Sequence, residues 1–299
     1  MRSRSSHRAK KIAFFIGNFT LIVLVLIFAL LPIFWMVVTS IKPAGEITTR
    51  VPIFIPTKPT LANYRGVFFP EAESLYQKAG VAREMLSVTG WVGVKNSIIV
   101  TLLSTALAIG IGLMAAYAFS RLRFKGKDNL AFWLLSTKMF PPATVILPIF
   151  IMMNRFRLVD TQIALILAYL VFNLPFSVWM LRGFFMEIPK ELDECAMVDG
   201  CSHWGALVKI LLPLLIPGII VTAIFCFIFS WNEFLFALIL TRVKAQTFPV
   251  QVSAFLGVKG IQWGPMAAFG VAGSIPPLVL AIAAQRYLVR GLTYGAVKA

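Results

Sequence analysis

A single lysine interrupts one of the most apolar stretches of this sequence. Lys138 is the only charged residue between positions 129 and 154, and Pro141 and Pro142 follow it. An ionisable side chain within a membrane span is costly, so it marks a functional position by default. Two interpretations have equal weight. Either the ammonium group faces a polar path and donates hydrogen bonds to hydroxyl groups, or it reaches the membrane surface or an internal ion pair.

A second set of polar residues lies in and beside two later apolar stretches. Trp231, Asn232 and Glu233 are consecutive, and Asn173 lies close to Pro175. An indole ring can stack on the C–H face of a sugar while amide and carboxylate groups bind its hydroxyls. These residues are therefore candidates for binding a hydroxyl-rich ligand. The alternative is that Trp231 belongs to an interfacial aromatic belt and that Glu233 is solvated.

The sequence lacks the short motifs that mark common catalytic and metal sites. Gly126-Lys127 is followed by Asp128 and has Arg121 where a phosphate-binding loop begins with glycine. No nucleophile elbow or H-E-x-x-H segment occurs, and the two histidines are far apart in sequence and lack partners for a zinc site. We therefore expect a chain that is not an enzyme, has no ATPase site of its own and binds no metal. The three cysteines are Cys195, Cys201 and Cys226, an odd number that argues against a disulfide framework.

Long apolar stretches dominate the composition and predict an all-α, polytopic membrane protein. Apolar residues make up 59% of the 299 residues and charged residues 13%, against about 25% charged in soluble domains. A helical span needs roughly 20 apolar residues, and six stretches are long enough. We expect a transmembrane domain over residues 12–299, with spans at about 12–40, 96–120, 129–154, 161–183, 211–240 and 264–286.

The distribution of basic residues predicts the orientation of these spans. The net charge is +16, and basic residues crowd the arm 1–11 and the short loop 121–128. Short loops rich in lysine and arginine stay on the cytoplasmic side, so we expect both termini there and no nucleic-acid partner. Segment 42–95 then lies outside as a proline-containing cap, with short helices near Asn63–Phe68 and Leu75–Leu86.

One polar loop, between Glu187 and Lys209, interrupts the second half of the chain. Pro189 suits the first position of a helix, and nearby carboxylates favour the positive end of its dipole. Gly200 permits a left-handed turn after about Asp199, and Ser202 can cap a second helix. The pattern predicts a helical knuckle that protrudes from the membrane and docks into another protein.

The spacing within this loop resembles a known family pattern. Glu194-Cys195-Ala196, three residues, Gly200, nine residues, Ile210, one residue and Leu212-Pro213 match the EAA loop of ABC-transporter permeases. Cys195 replaces the usual alanine, and its small apolar side chain preserves the packing role. Phrases such as PTLANYRGVF, and the closing GLTYGAVK, resemble MalG-like permeases of bacterial sugar importers. The resemblance covers roughly residues 34–298.

The resemblance implies a type I importer permease with the MetI-like fold, in the bacterial inner membrane. It implies a second, MalF-like permease, a homodimer of ATP-binding subunits and a periplasmic solute-binding protein as partners. ATP and Mg²⁺ would be bound by the ATPase subunits, and this chain would bind no cofactor. The implied solute is an oligosaccharide or polyol. A non-sugar solute is the nearer alternative, and an ion-coupled secondary transporter using Lys138 and Glu233 is the remoter one, since no internal repeat is visible.

Two sets of site residues follow. The residues expected to couple the chain to the ATPase are Glu191, Glu194, Cys195, Ala196, Asp199, Gly200, Ile210, Leu212 and Pro213. The substrate-pathway candidates are Lys138, Asn173, Trp231, Asn232 and Glu233.

Overall fold

The computed structural model describes residues 2–69, 90–257 and 260–294, and the predicted helix Leu75–Leu86 lies outside these ranges. The chain divides into two compact units. The first comprises residues 1–81 with 255–272, and the second comprises residues 82–254 with 273–299.

The first unit contains one long helix and several short elements. Helix α1 (Arg2–Ser40) has 39 residues, about 58 Å at 1.5 Å per residue, so it is longer than a bilayer core is thick. Most of its apolar portion, Phe14–Ser40, is exposed, and only the last residues, such as Val38 and Ser40, are buried. The other elements are α2 (Ala44–Ile47), α3 (Ala62–Phe68) and the antiparallel strands β1 (Leu256–Gly257) and β2 (Gly260–Ile261).

Helix α3 is attached to the end of α1 by polar contacts. The Asn63 amide donates to the carbonyl oxygens of Ser40 and Lys42, both at 2.9 Å. The hydroxyls of Tyr64 and Ser40 are 2.8 Å apart. Because these bonds occupy the carbonyl group of the last residue of α1 and that of Lys42 just beyond it, they order the start of the segment expected to form a cap.

The second unit is built from helices of unequal length. They are α4 (Gly90–Arg121), α5 (Lys127–Ser136), α6 (Pro142–Arg155), α7 (Gln162–Glu187), α8 (Glu191–Val198), α9 (His203–Ala206), α10 (Leu212–Trp231), α11 (Leu235–Leu240) and α12 (Phe248–Ser253). Helix α13 (Trp263–Tyr294) begins in the first unit and ends in the second.

Helices α4, α7 and α10 form the core of the second unit. A side chain at Gly112 would collide with Ser177, whose hydroxyl donates to the Ala108 carbonyl at 2.8 Å. Small residues allow such close approach, which is how helices associate in lipid. One apolar cluster, at the α8 end of these helices, includes Tyr117 and Phe185. A separate cluster includes Leu165 and Leu240.

The structure contains five helices that are long and apolar enough to cross a membrane, among the residues described. A sixth span exists if the helical segments 127–139 and 142–155 count as one. These two segments meet at 95°, so the span expected over 129–154 is a single span only with a sharp bend in it. Phe140 is extended, with ψ 129°, because the residue before a proline is driven out of the helical region. The expected span 211–240 is likewise interrupted between Trp231 and Leu235.

Candidate functional site: a docking knuckle and a polar pathway

The predicted knuckle is present as two short helices joined by a glycine turn. Helix α8 ends at Val198, and Gly200 has φ +84°, a conformation that glycine adopts without strain. The Ser202 hydroxyl accepts from the Gly205 N–H at 3.2 Å and caps α9. One detail is corrected: α8 begins at Glu191, so Pro189 precedes it. Glu187 is the last residue of α7.

Helix α8 has one buried face and one exposed face. Asp193 and Ala196, three positions apart, are buried, as expected for neighbours on one side of a helix. The predicted coupling residues on the exposed side are Glu191, Glu194, Cys195, Asp199 and Gly200. Val198 is 89% exposed and Trp204 is 61% exposed. The knuckle therefore presents carboxylates together with large apolar side chains, and such a mixed surface is typical of protein interfaces.

A buried ion pair holds the knuckle against the end of α4. The Arg121 Nε and Asp193 Oδ2 atoms are 2.6 Å apart, and the side chains are 5% and 8% exposed. Arg121 also donates through Nη2 to the Ile188 carbonyl at 2.8 Å. Leaving one member of such a pair unpaired costs about 3–5 kcal/mol. In the sequence, Arg121 belongs to the basic loop that predicts the orientation, and Asp193 is one of the carboxylates near the start of the predicted knuckle helix. The i, i+3 spacing of Asp193 and Ala196 is the signal that could have identified the buried face.

The remaining coupling candidates lie where the knuckle enters the membrane helix. Ile210 belongs to a π-helical segment, Leu207–Leu211, and Leu212 and Pro213 begin α10. Pro213 has no N–H to donate, and the Leu212 N–H bonds to the Leu207 carbonyl in the wider π pattern. Leu207 and Leu211 are buried in the cluster with Tyr117 and Phe185. These residues therefore fix the knuckle to the membrane helices.

Lys138 lies at the sharp break in the predicted third span. It belongs to a 3₁₀ turn, Thr137–Met139, and its Nζ is 4.6 Å from the ring centre of Phe176 and 4.5 Å from that of Phe229. Contacts of this kind stabilise an ammonium group by roughly 0.5–2 kcal/mol. Among the described residues no carboxylate lies within salt-bridge distance of Lys138. The two phenyl rings were not identified as site residues from the sequence.

Asn173 lies on the same helix as Phe176, α7, but its side chain is buried between helices. It is fully buried, and its Nδ2 donates to the Ser230 hydroxyl at 2.7 Å. Its Oδ1 has no hydrogen-bond partner among the residues that the structure describes. Phe176 follows Asn173 by less than one helical turn, and Phe229 precedes Ser230. The same two helices therefore supply both the aromatic pair around Lys138 and a buried amide.

The side chains of Trp231, Asn232 and Glu233 have different partners and do not form a cluster. The Trp231 ring is stacked between Phe227 and Phe248, and its Nε1 donates to the Gly273 carbonyl at 3.1 Å. With 2% exposure, it has no free face for a sugar ring in this structure. The Asn232 amide donates to its own helix. The Glu233 carboxylate accepts from the first N–H groups of α11, at 2.9 and 3.2 Å, and is its cap.

An aspartate outside the spans organises the loop after α11. The Asp160 carboxylate accepts hydrogen bonds from the four consecutive N–H groups of residues 242–245. Partial burial by itself would raise the pKa of Asp160, but these four donors together hold the pKa below its usual value. The residue adopts φ +62°, a region that aspartate tolerates better than most residues. No motif in the sequence marks Asp160 as a site residue.

Comparison with known proteins agrees with this architecture. Residues 108–294 match the family described as binding-protein-dependent transport system inner membrane component. The trehalose/maltose permease MalG of Thermococcus litoralis is 37% identical over 291 residues, 97% of each chain. The trehalose permease SugB of Mycobacterium tuberculosis is 38% identical and covers 92% of this chain and 94% of its own. The diacetylchitobiose permease DasC of Streptomyces coelicolor is 34% identical, covering 89% of this chain and 91% of its own.

A solved structure shares the fold. A chain of a bacterial ABC transporter involved in import of the acidic polysaccharide alginate superposes with TM-score 0.73 at 22% identity, covering 94% of this chain and 98% of that one. With the matched family region containing the whole knuckle, this chain belongs to the family of inner membrane components of binding-protein-dependent transport systems.

Proposed function

We propose that this permease subunit imports a carbohydrate, an oligosaccharide or a polyol. Three relatives support this: their names specify trehalose/maltose, diacetylchitobiose and sulfoquinovosyl glycerol as transported compounds. A non-sugar solute is the second candidate. A chain of a methionine ABC transporter shares the fold at TM-score 0.51, and fold alone does not specify a solute.

We further propose that the knuckle, residues 187–209, docks into a separate ATP-binding subunit. The exposed face of α8 carries this proposal. Glu194 and Val198 lie on that face, and Arg121 holds the same helix through its ion pair with the buried Asp193. ATP and Mg²⁺ would be bound by a pair of such subunits, with no ATPase site in this chain. A second permease of the same family and a periplasmic binding protein complete the complex, and both termini and the knuckle lie in the cytoplasm.

Lys138 is the strongest candidate for contact with the solute. Its ammonium group lies on the rings of Phe176 and Phe229 and, among the described residues, is not neutralised by an acid. An ammonium group beside aromatic surfaces can donate to hydroxyls while the rings contact C–H groups. In the proposed pathway, Asn173 and Glu233 position neighbouring helices. Asn232, the residue before Glu233, is exposed and offers its amide group to the pathway. Trp231 contributes packing.

Site-directed crosslinking tests the docking proposal. Cys195 is exposed on α8, so a variant with Cys201 and Cys226 replaced by serine and alanine keeps one native probe. In the assembled complex, we expect Cys195, and Val198→Cys in a cysteine-free background, to crosslink to the ATPase subunit. Phe156→Cys is the matched control, because Phe156 is 66% exposed and directly follows α6, outside the knuckle. Crosslinking from Phe156 alone would refute the docking of the knuckle.

A ligand screen tests the solute class separately. The binding protein that delivers solute to this permease should be stabilised thermally by one or more oligosaccharides or polyols and not by amino acids. The stabilisation by a bound ligand increases with the ratio of ligand concentration to Kd, and it reaches about 2.7 kcal/mol when the concentration is a hundred times Kd. A screen in which methionine or a peptide stabilises the protein and no sugar does would favour the second candidate.

A further inference from the structure

A cavity of about 370 Å³ lies in the second unit where two membrane helices end. Its walls come from the last turns of α4 and α7, the start of α5 and the chain entering α8. Four basic residues line it, together with one carboxylate, and they are Arg121, Lys127, Arg182, Lys190 and Glu191. The pathway candidates do not line this cavity, and Glu191 is the one predicted coupling residue that does.

The basic residues differ in how firmly their charges are already neutralised. Arg121 is committed to the buried Asp193, so it forms a wall of the cavity. Arg182 donates to Asp128 at 2.7 Å, but Asp128 is 73% exposed, and exposed pairs of this kind contribute little and exchange readily. The Arg182 Nε atom is buried and has no hydrogen-bond partner in the described part of the chain. Lys127 and Lys190 form no ion pair with any described residue.

Apart from Ser120, the rest of the cavity wall is apolar. It consists of Phe119, Met186, Ile188 and Pro189, and Met186 is 67% exposed. Leu122 and Phe124, in the adjoining loop, are also exposed. The cavity lies where the candidate spans Gly90–Arg121 and Gln162–Glu187 end, which is the depth of the headgroups. A free phosphate ion would need only the basic residues of the cavity. The apolar surface beside these residues, at the depth of the headgroups, fits the acyl chain of a lipid.

We propose that this cavity binds the phosphate headgroup of an anionic phospholipid, such as phosphatidylglycerol. Lys127, Lys190 and Arg182 donate to the phosphate oxygens, with Arg182 released from Asp128, and the glycerol and upper acyl chain lie along Phe119 and Met186. Basic pockets between membrane helices favour anionic headgroups by electrostatic attraction. Glu191 opposes the phosphate and limits the affinity. The bound lipid joins α4, α7 and the entry to α8, and so stiffens the base of the knuckle.

Lipid binding to the assembled complex is the test. Native mass spectrometry or fluorescence quenching in nanodiscs would compare phosphatidylglycerol with phosphatidylcholine for the unaltered complex and for Lys127→Gln/Lys190→Gln. Each lysine near the membrane surface contributes about 1 kcal/mol, so we expect the double variant to lose about 30-fold in phosphatidylglycerol affinity and to bind phosphatidylcholine unchanged. The control, Arg123→Gln/Lys125→Gln, removes two exposed charges from the same loop outside the cavity.

Three results would overturn the proposal. An equal loss of phosphatidylglycerol affinity in the control would mean general surface attraction. Competition by millimolar inorganic phosphate as effective as that by short-chain phosphatidylglycerol would mean a soluble-anion site. Unchanged affinity in a folded Lys127→Gln/Lys190→Gln complex would exclude the cavity. Neither double variant removes a member of the two ion pairs found among the described residues, so we expect both to fold. Matching thermal unfolding curves for the two variants in phosphatidylcholine would establish this.

Discussion

The Arg121 guanidinium and the Asp193 carboxylate join the end of a membrane helix to the first turn of the knuckle. Their facing atoms are 2.6 Å apart and are nearly inaccessible to solvent. Because Arg121 also bonds to the Ile188 carbonyl, it holds both the entry to α8 and α8 itself. A displacement of the knuckle therefore acts directly on α4, which packs against α7 and α10. This contact is a mechanical link between the proposed docking surface and the membrane helices.

Removal of one member of this pair should uncouple the complex. We expect Arg121→Ala to lower the free energy of unfolding by about 3–5 kcal/mol and to reduce uptake at least tenfold. Thermal unfolding and transport in proteoliposomes measure the two effects. Arg123→Ala removes an exposed arginine two residues away and should change neither. Replacing both partners, as Arg121→Met with Asp193→Leu, should recover most of the stability but not the coupling; full recovery of uptake would contradict the mechanical role.

The turn at Gly200 gives a prediction about backbone conformation. A side chain at φ +84° is strained by roughly 1–2 kcal/mol, and space is not the obstacle, since nothing lies within 4 Å of an added Cβ. We expect Gly200→Val to alter the angle between α8 and α9, so that ATP hydrolysis by the complex continues while uptake falls. The ratio of uptake to hydrolysis in proteoliposomes measures this. Asparagine, which tolerates the left-handed region, should retain more of the ratio than valine.

Gly205→Ala is the control for this turn. Gly205 lies in the helix that follows, and an added Cβ would make only ordinary contacts, at 3.5 Å or more. Its uptake ratio should match the unaltered complex. Equal ratios for the valine variant at Gly200 and the alanine variant at Gly205 would mean that the turn conformation does not affect coupling.

The sequence predicted the elements that depend on local chemistry. Hydropathy located the membrane helices, and the Gly200 turn and the Ser202 cap follow from the backbone preferences of those residue types. The family fold followed from the spacing between Glu194 and Pro213. Contacts between distant residues left no such local signal. Arg121 and Asp193 are 72 positions apart, and nothing in either segment indicates the other.

Local signals also failed where two of them compete. The hydropathy of 129–154 indicates one span and Pro141 and Pro142 favour a break within it, but neither signal gives the 95° angle at which the two segments meet. The sequence likewise predicts one polar cluster at the adjacent residues Trp231-Asn232-Glu233. The helix ends there, so consecutive side chains diverge: the indole enters the core while the carboxylate caps α11.

Lys138 gives a prediction about the pathway. Lys138→Met keeps the length of the side chain but cannot donate hydrogen bonds, so we expect uptake to fall at least tenfold at normal expression, with a smaller fall for Lys138→Arg. Initial uptake rates in proteoliposomes, normalised to complex content, measure this. Lys125→Met, in an exposed loop, is the control. Wild-type uptake by a well-expressed Lys138→Met complex would leave the lysine with a surface-anchoring role only.

Asp160 gives a prediction about pH. Its pKa is lower in the folded protein than in the unfolded chain because four backbone N–H groups bond to the carboxylate. A depressed pKa stabilises the fold at pH values above the unfolded value, near 3.9, and that contribution disappears as the pH falls through the folded value. Asp160→Asn should therefore destabilise the protein at pH 7, by about 1 kcal/mol after solvent screening. The difference should shrink below pH 4.

Paired thermal unfolding curves from pH 7 to pH 3 measure this, with Asp128→Asn, an exposed aspartate, as the control. A difference between Asp160→Asn and the unaltered protein that stays constant over this range would show that the charge of Asp160 does not order residues 242–245.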